Sequence, residues 1–168
     1  NKLYNKENIE IFKKYNIDII LLAWWPYIIK EPILTLPNRY IINMHPSYLP
    51  YGRGKHPYFW NIIEKTKFGA SLHIVNKNID EGSIIAREVI NVDWEDTGFT
   101  LREKSRESLF NLFKKNFSKI MKGKINFIKA PKKNRLHLSN EIENKSKIFL
   151  EKKYKAKDLI DLIRARSG

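Results

Sequence analysis

Cysteine is absent from this chain of 168 residues. Disulfides, thiolate metal sites and a cysteine nucleophile are therefore excluded, which suits a cytoplasmic setting. Long apolar runs are lacking as well. None approaches the ~20 residues of a membrane-spanning helix, so no membrane partner is expected. No serine lies in a nucleophile elbow, so a covalent acyl-enzyme is not suggested. Acidic residues are scarce, 18 Asp and Glu against 32 Lys and Arg, for a formal charge of +14. No signal peptide is visible and the chain begins at Asn1, so it reads as part of a longer gene product.

The charge is unevenly placed. Between Ile17 and Asp96 there are eight Lys and Arg against nine Asp and Glu. Between Lys114 and Lys157 there are 15 against three. That basic segment reads either as a solvated, lysine-rich face or as a surface for polyanions. The solvated reading is preferred, because no aromatic stripe accompanies the lysines.

Hydrophobic residues make up 42% of the chain, enough for one globular domain with a sizeable core. Asn5–Tyr15 has apolar residues at helical spacing. Asp18–Trp24 is short and continuously apolar, as a strand buried in a parallel sheet would be. A second apolar strand at Tyr40–Met44 completes a βαβ-like unit. Pro57–Lys65 reads as a helix opening on its proline. Ala70–Val75 and Ser83–Val92 read as antiparallel strands around a polar turn. Thr97–Met121 is a long helix, capped by Asp96 or Thr97 and ended by Gly123. Lys124–Lys153 reads as irregular, and Ala156–Ala165 as a final helix.

Chemistry concentrates where the second strand ends. Alternation puts the side chains of Asn43 and His45 on one face, at the sheet end where open α/β folds bind ligands. An amide donor beside an imidazole can stabilise an oxyanion and move a proton, and Asp80, in the polar turn, can orient the imidazole. His73 alternates inside a strand and reads as a core or rim histidine. His56 and His137 read as exposed, and Trp24 and Trp25 as packing residues. No metal site is suggested.

The ordered set Asn43-Met44-His45-Pro46-Ser47, Leu49-Pro50, Gly52, Gly54, Gly69, His73 and Asp80-Glu81-Gly82-Ser83 resembles the folate-dependent formyltransferases. That family includes the glycinamide ribonucleotide, methionyl-tRNA and sugar N-formyltransferases. The resemblance implies an α/β, Rossmann-like core with a mostly parallel sheet, its N-terminal strands missing from this chain. It implies a formyltransferase core over residues 1–125 and a basic extension with a final helix over 126–168. It also implies transfer of a formyl group from 10-formyltetrahydrofolate to an amine. The catalytic trio would be Asn43, His45 and Asp80. The cosubstrate would lie against Trp24, Tyr27, Ile29, Val75, Asn78 and Ile79. The acceptor would lie against Ser47, Arg53 and Lys55. Tyr27 stands where the glycinamide ribonucleotide enzymes carry Arg. The stretches Arg53–Trp60 and Lys157–Arg166 are most similar to sugar-type members, so a sugar nucleotide is the expected acceptor. Methionyl-tRNA is the alternative within the family, a non-catalytic nucleic-acid module is the alternative outside it, and homodimerisation stays open.

Overall fold

The computed structural model describes residues 4–128 and 134–167. Helix α1 (Lys6–Lys14) starts where Asn5 accepts a hydrogen bond from the Asn8 amide at 2.9 Å, a side-chain cap on an otherwise unsatisfied donor. Strands β1 (Ile19–Ala23) and β2 (Tyr40–His45) follow and pair in parallel, with Leu22 opposite Asn43. A short 3-10 turn, Ile33–Thr35, lies in their connection. A two-residue strand β3 (Arg53–Gly54) precedes α2 (Pro57–Glu64). Strands β4 (Gly69–Ile74) and β5 (Ile84–Val89) then form an antiparallel pair. Helix α3 (Gly98–Met121) is followed by β6 (Leu136–His137), α4 (Glu141–Lys145) and α5 (Ala156–Arg166).

The main described sheet runs β1-β2-β4-β5, with one parallel pairing and two antiparallel ones. It is an open α/β sheet. Helix α3 lies over it, burying Leu109, Leu112 and Ile120 against Ile42, Met44 and Leu72. Capping sets its register. Thr97 accepts from the Thr100 amide, Thr100 returns a bond to the Thr97 amide, and Gly123, at φ +69°, ends the helix.

Three expectations change. Strand β1 reads as fully buried but is the edge strand among the described residues, so Leu21 is partly exposed. The stretch 124–153 holds a strand and a helix where an irregular segment is expected; residues 129–133 lie outside those described. The boundary drawn after residue 125 is not a division of the fold. Ile142, Leu162 and Ala165 share one core with Phe59, Trp60 and Leu101, and β6 pairs in parallel with β3. A hydrophobic core shared this way makes one cooperative unit.

Candidate active site

Asn43 and His73 are direct partners across the β2–β4 ladder. Residues opposite one another on an antiparallel pair have touching side chains, and here Asn43 Nδ2 lies 3.2 Å from His73 Nε2. The register of β4 against β5 shifts between Leu72 and His73, a bulge of the kind that re-aims a side chain. His45, two residues beyond Asn43, projects to the same side. Its Nε2 lies 2.9 Å from the Gly52 carbonyl oxygen.

Asp80 arrives from the β4–β5 turn. Its backbone takes a left-handed φ of +50°, which Asp tolerates better than most residues. The turn is tight because Gly82 passes against the Ile74 carbonyl, where any Cβ would overlap it. Asp80 Oδ2 accepts the Gly54 amide at 2.9 Å and lies 3.8 Å from His45 Nδ1, while Oδ1 lies 3.4 Å from His73 Nε2. The structure thus brings Asn43, His45 and Asp80 together. It adds His73, read from sequence as core or rim, as a fourth member.

The partners fix the tautomers. Carbonyl oxygens only accept, so His45 Nε2 donates to Gly52 and His73 Nδ1 donates to Ile74, 2.9 Å away. In neutral rings His45 Nδ1 and His73 Nε2 are then acceptors, and both lie beside the Asp80 carboxylate. Asn43 donates to His73 and keeps a second amide hydrogen. Burial pushes the His45 imidazole below its ordinary range, outweighing the attraction of Asp80. Burial works to raise the Asp80 carboxyl, but His45, His73 and the Gly54 amide together hold it well below the usual carboxylate range. The cluster sets the Asp80 carboxylate beside Nδ1 of His45, while Nε2 of His73 is taken up by the Asn43 amide.

The cluster floors a cavity of about 540 Å³, within the size range of small-molecule sites. Tyr27 and Ile29 form one wall, and Val75, Asn78 and Ile79 another. Trp24 is not among the lining residues. It stands beside Phe99 and Phe110 in a separate shallow groove. Lys55 reaches over the mouth, its Nζ donating to the Pro26 carbonyl at 2.6 Å. Ser47 is buried off the cavity, and Arg53 is buried with its guanidinium turned to protein carbonyls. His137 is buried, against the expectation of exposure. Its ring stacks on Trp60 at 3.9 Å, and it lines the cavity with Leu138, Ser139 and Asn140. No signal in the sequence marks this third wall, which the pairing of β6 with β3 puts in place.

The sequence model of the Formyl transferase family matches residues 1–115, about two thirds of the chain. The chain belongs to this family. This formyl transferase chain is 36% identical over 126 residues to the bifunctional polymyxin resistance protein ArnA of Wigglesworthia glossinidia brevipalpis, covering 74% of the chain and 19% of that protein. It is 33% identical over 104 residues to a methionyl-tRNA formyltransferase of Agathobacter rectalis, covering 61% of the chain and 34% of that protein. It spans less than half the length of the curated relatives it matches. The crystal structure of a 4-N formyltransferase from Francisella tularensis superposes with a TM-score of 0.83 at 26% identity, over 95% of this chain and 64% of that one. That of the formyltransferase PseJ from Anoxybacillus kamchatkensis, in complex with UDP-4,6-dideoxy-4-formamido-L-AltNAc and tetrahydrofolate, gives 0.72 at 25% identity, over 91% and 78%. Among the described residues no helix is long and apolar enough to cross a membrane.

Proposed function

We propose that this chain is the catalytic part of a folate-dependent N-formyltransferase whose acceptor is the amine of a sugar nucleotide. The observation that carries the reading is the convergence of Asn43, His45 and Asp80 on the floor of one cavity. A cavity of this size and lining, with Tyr27, Ile29, Val75, Asn78 and Ile79 on two walls, supports a place for the cosubstrate there. When bound, 10-formyltetrahydrofolate supplies the formyl group in activated form. Asn43, braced by His73, donates its remaining amide hydrogen to the oxygen where negative charge develops. The His45 nitrogen beside Asp80 takes the proton that the attacking amine sheds. His45 and Asp80 then return a proton to the departing nitrogen, so the proton count closes within the cluster.

The sugar-nucleotide acceptor is supported by the complex described for the Anoxybacillus enzyme, at 25% identity. A second reading, a methionyl-tRNA acceptor, is favoured by the Agathobacter relative and by the basic excess after Lys114. Formyl transfer from 10-formyltetrahydrofolate by the full-length protein, assayed against a panel of amino-sugar nucleotides and against methionyl-tRNA, separates the two. Turnover with one or more amino-sugar nucleotides is expected. Turnover with methionyl-tRNA only would replace the first reading with the second.

A further inference from the structure

Arg53 reads from sequence as an acceptor-binding cation in a glycine-rich loop. Its surroundings give it other work. The residue is only 5% exposed. Its Nε and one terminal nitrogen donate to the Ile79 carbonyl at 3.2 and 2.7 Å. The same terminal nitrogen donates to Glu81 Oε1 at 2.6 Å, and the other donates to the Asn134 carbonyl at 2.9 Å. Four of the five guanidinium N–H groups are thereby used, and the charge is already matched by a carboxylate. An incoming phosphate would find at most one donor and a neutralised cation. A planar fork that satisfies several fixed acceptors at once is an arginine property that lysine does not share.

Those acceptors belong to two different parts of the site. Ile79 and Glu81 flank Asp80, while Asn134 precedes β6, which leads directly into the wall at His137 to Asn140. The next residue after Arg53 completes the link. The Gly54 amide holds Asp80 Oδ2, and the Lys55 amide donates to the His137 carbonyl at 3.0 Å. One buried side chain and two consecutive amides thus tie the Asp80 turn to a wall outside the 1–115 stretch that carries the family match.

We propose that Arg53 is a positioning residue that locks the Asp80 turn and the 134–140 wall into one rigid site, and that it does not bind the acceptor. The kinetic part of this proposal rests on the formyltransferase reading above. A loosened turn moves Asp80 away from the imidazoles, and misplacements near 1 Å cost about 100-fold in rate.

The test replaces Arg53 in the full-length protein and reads two things. Arg53→Met is expected to lower kcat about 100-fold, with KM for both substrates within about threefold of the parent. In the same variant, amide hydrogen exchange at Gly54 and at Leu136–His137 is expected to accelerate, while exchange in β2 and α3 is unchanged. Arg53→Lys keeps the charge and loses the fork, so it is expected to behave like Arg53→Met. It also decides the matter by the same readouts if Arg53→Met does not fold. A raised KM for the acceptor with kcat and exchange unchanged, rescued by Arg53→Lys, would overturn the proposal in favour of anion binding. Exchange at Gly54 and β6 that does not respond to either variant would overturn it whatever the kinetics. The exchange arm needs no substrate. If the parent transfers no formyl group to any amine, the functional reading fails while the positioning role is still decided.

Discussion

Replacing Gly54 by alanine probes the joint between the Asp80 turn and the third wall. Gly54 has φ +86°, and a Cβ built on it would sit 2.2 Å from the His137 carbonyl oxygen and 2.8 Å from a Leu136 methyl. Van der Waals contact for such a pair is near 3.4 Å, so β6 must retreat by about 1 Å. Three costs add. Holding a side chain in left-handed backbone costs about 1–2 kcal/mol. The Lys55–His137 hydrogen bond, lost as β6 retreats, contributes about 1 kcal/mol. Rigid neighbours on the Gly54 side leave the Trp60–His137 stack misaligned, at about 0.5–1.5 kcal/mol for an aromatic pair. The total is about 3–4 kcal/mol, a large share of the 5–15 kcal/mol that keeps a domain folded. Thermal unfolding of Gly54→Ala should show a clearly lowered Tm, and formyl transfer should fall at 20 °C, where the protein is still folded. A variant with the parent Tm and parent turnover would refute the close approach of β6 to Gly54 and the wall built upon it.

Single replacements Asn43→Ala, His45→Ala and Asp80→Asn are each expected to cut kcat by about 10²–10⁴-fold, the span of general acid–base contributions, with circular dichroism unchanged. Because the folded pKa of Asp80 is depressed, its carboxylate stabilises the fold fully above the ordinary carboxylate pKa and loses that contribution below it. The urea midpoints of the parent and Asp80→Asn should therefore converge as pH falls below about 4. The folded pKa of His45 is also depressed, so the unfolded chain takes up more protons as pH drops below about 6.5 and stability declines there. His45→Gln should make that decline shallower between pH 7 and 5 by urea titration. Lys55→Met removes the bond to the Pro26 carbonyl and is expected to raise KM for 10-formyltetrahydrofolate with little change in kcat. An unchanged KM would show that the Lys55 bridge does not hold the wall at Tyr27 to Ile29.

The alternation in Tyr40–His45 was enough to place Asn43 and His45 side by side, because a strand's period of two is a local property. Asp80 was legible through its place in an ordered motif, not through periodicity. Trp24 was misplaced because resemblance carried over a segment, Trp24 to Ile29, and not the direction of each side chain in it. Its φ of +52° turns the ring away from the cavity toward α3. Arg53 was placed against the acceptor by resemblance, which does not show that its guanidinium is buried and spent on protein acceptors. His137 was missed for a third reason. Strand β6 is two residues long, so no periodicity announces it, and its partner is more than 80 residues earlier. Contacts of that separation leave no local trace.

That separation also sets a timetable. During synthesis Arg53 and Gly54 leave the ribosome well before Leu136 and His137, the strand they pair with. At about 5–20 residues per second the gap is roughly 4–16 s. The sheet strands β1, β2, β4 and β5 and much of α3 are available during that interval, while the guanidinium of Arg53 lacks its Asn134 acceptor and Trp60 lacks its stacking partner. Closing so long a loop comes late on entropic grounds too. The nascent chain therefore carries Asn43, His45 and Asp80 before it has a finished vessel for them, and a chain stopped short of Asn134 would keep those residues yet lack the wall that shapes their cavity.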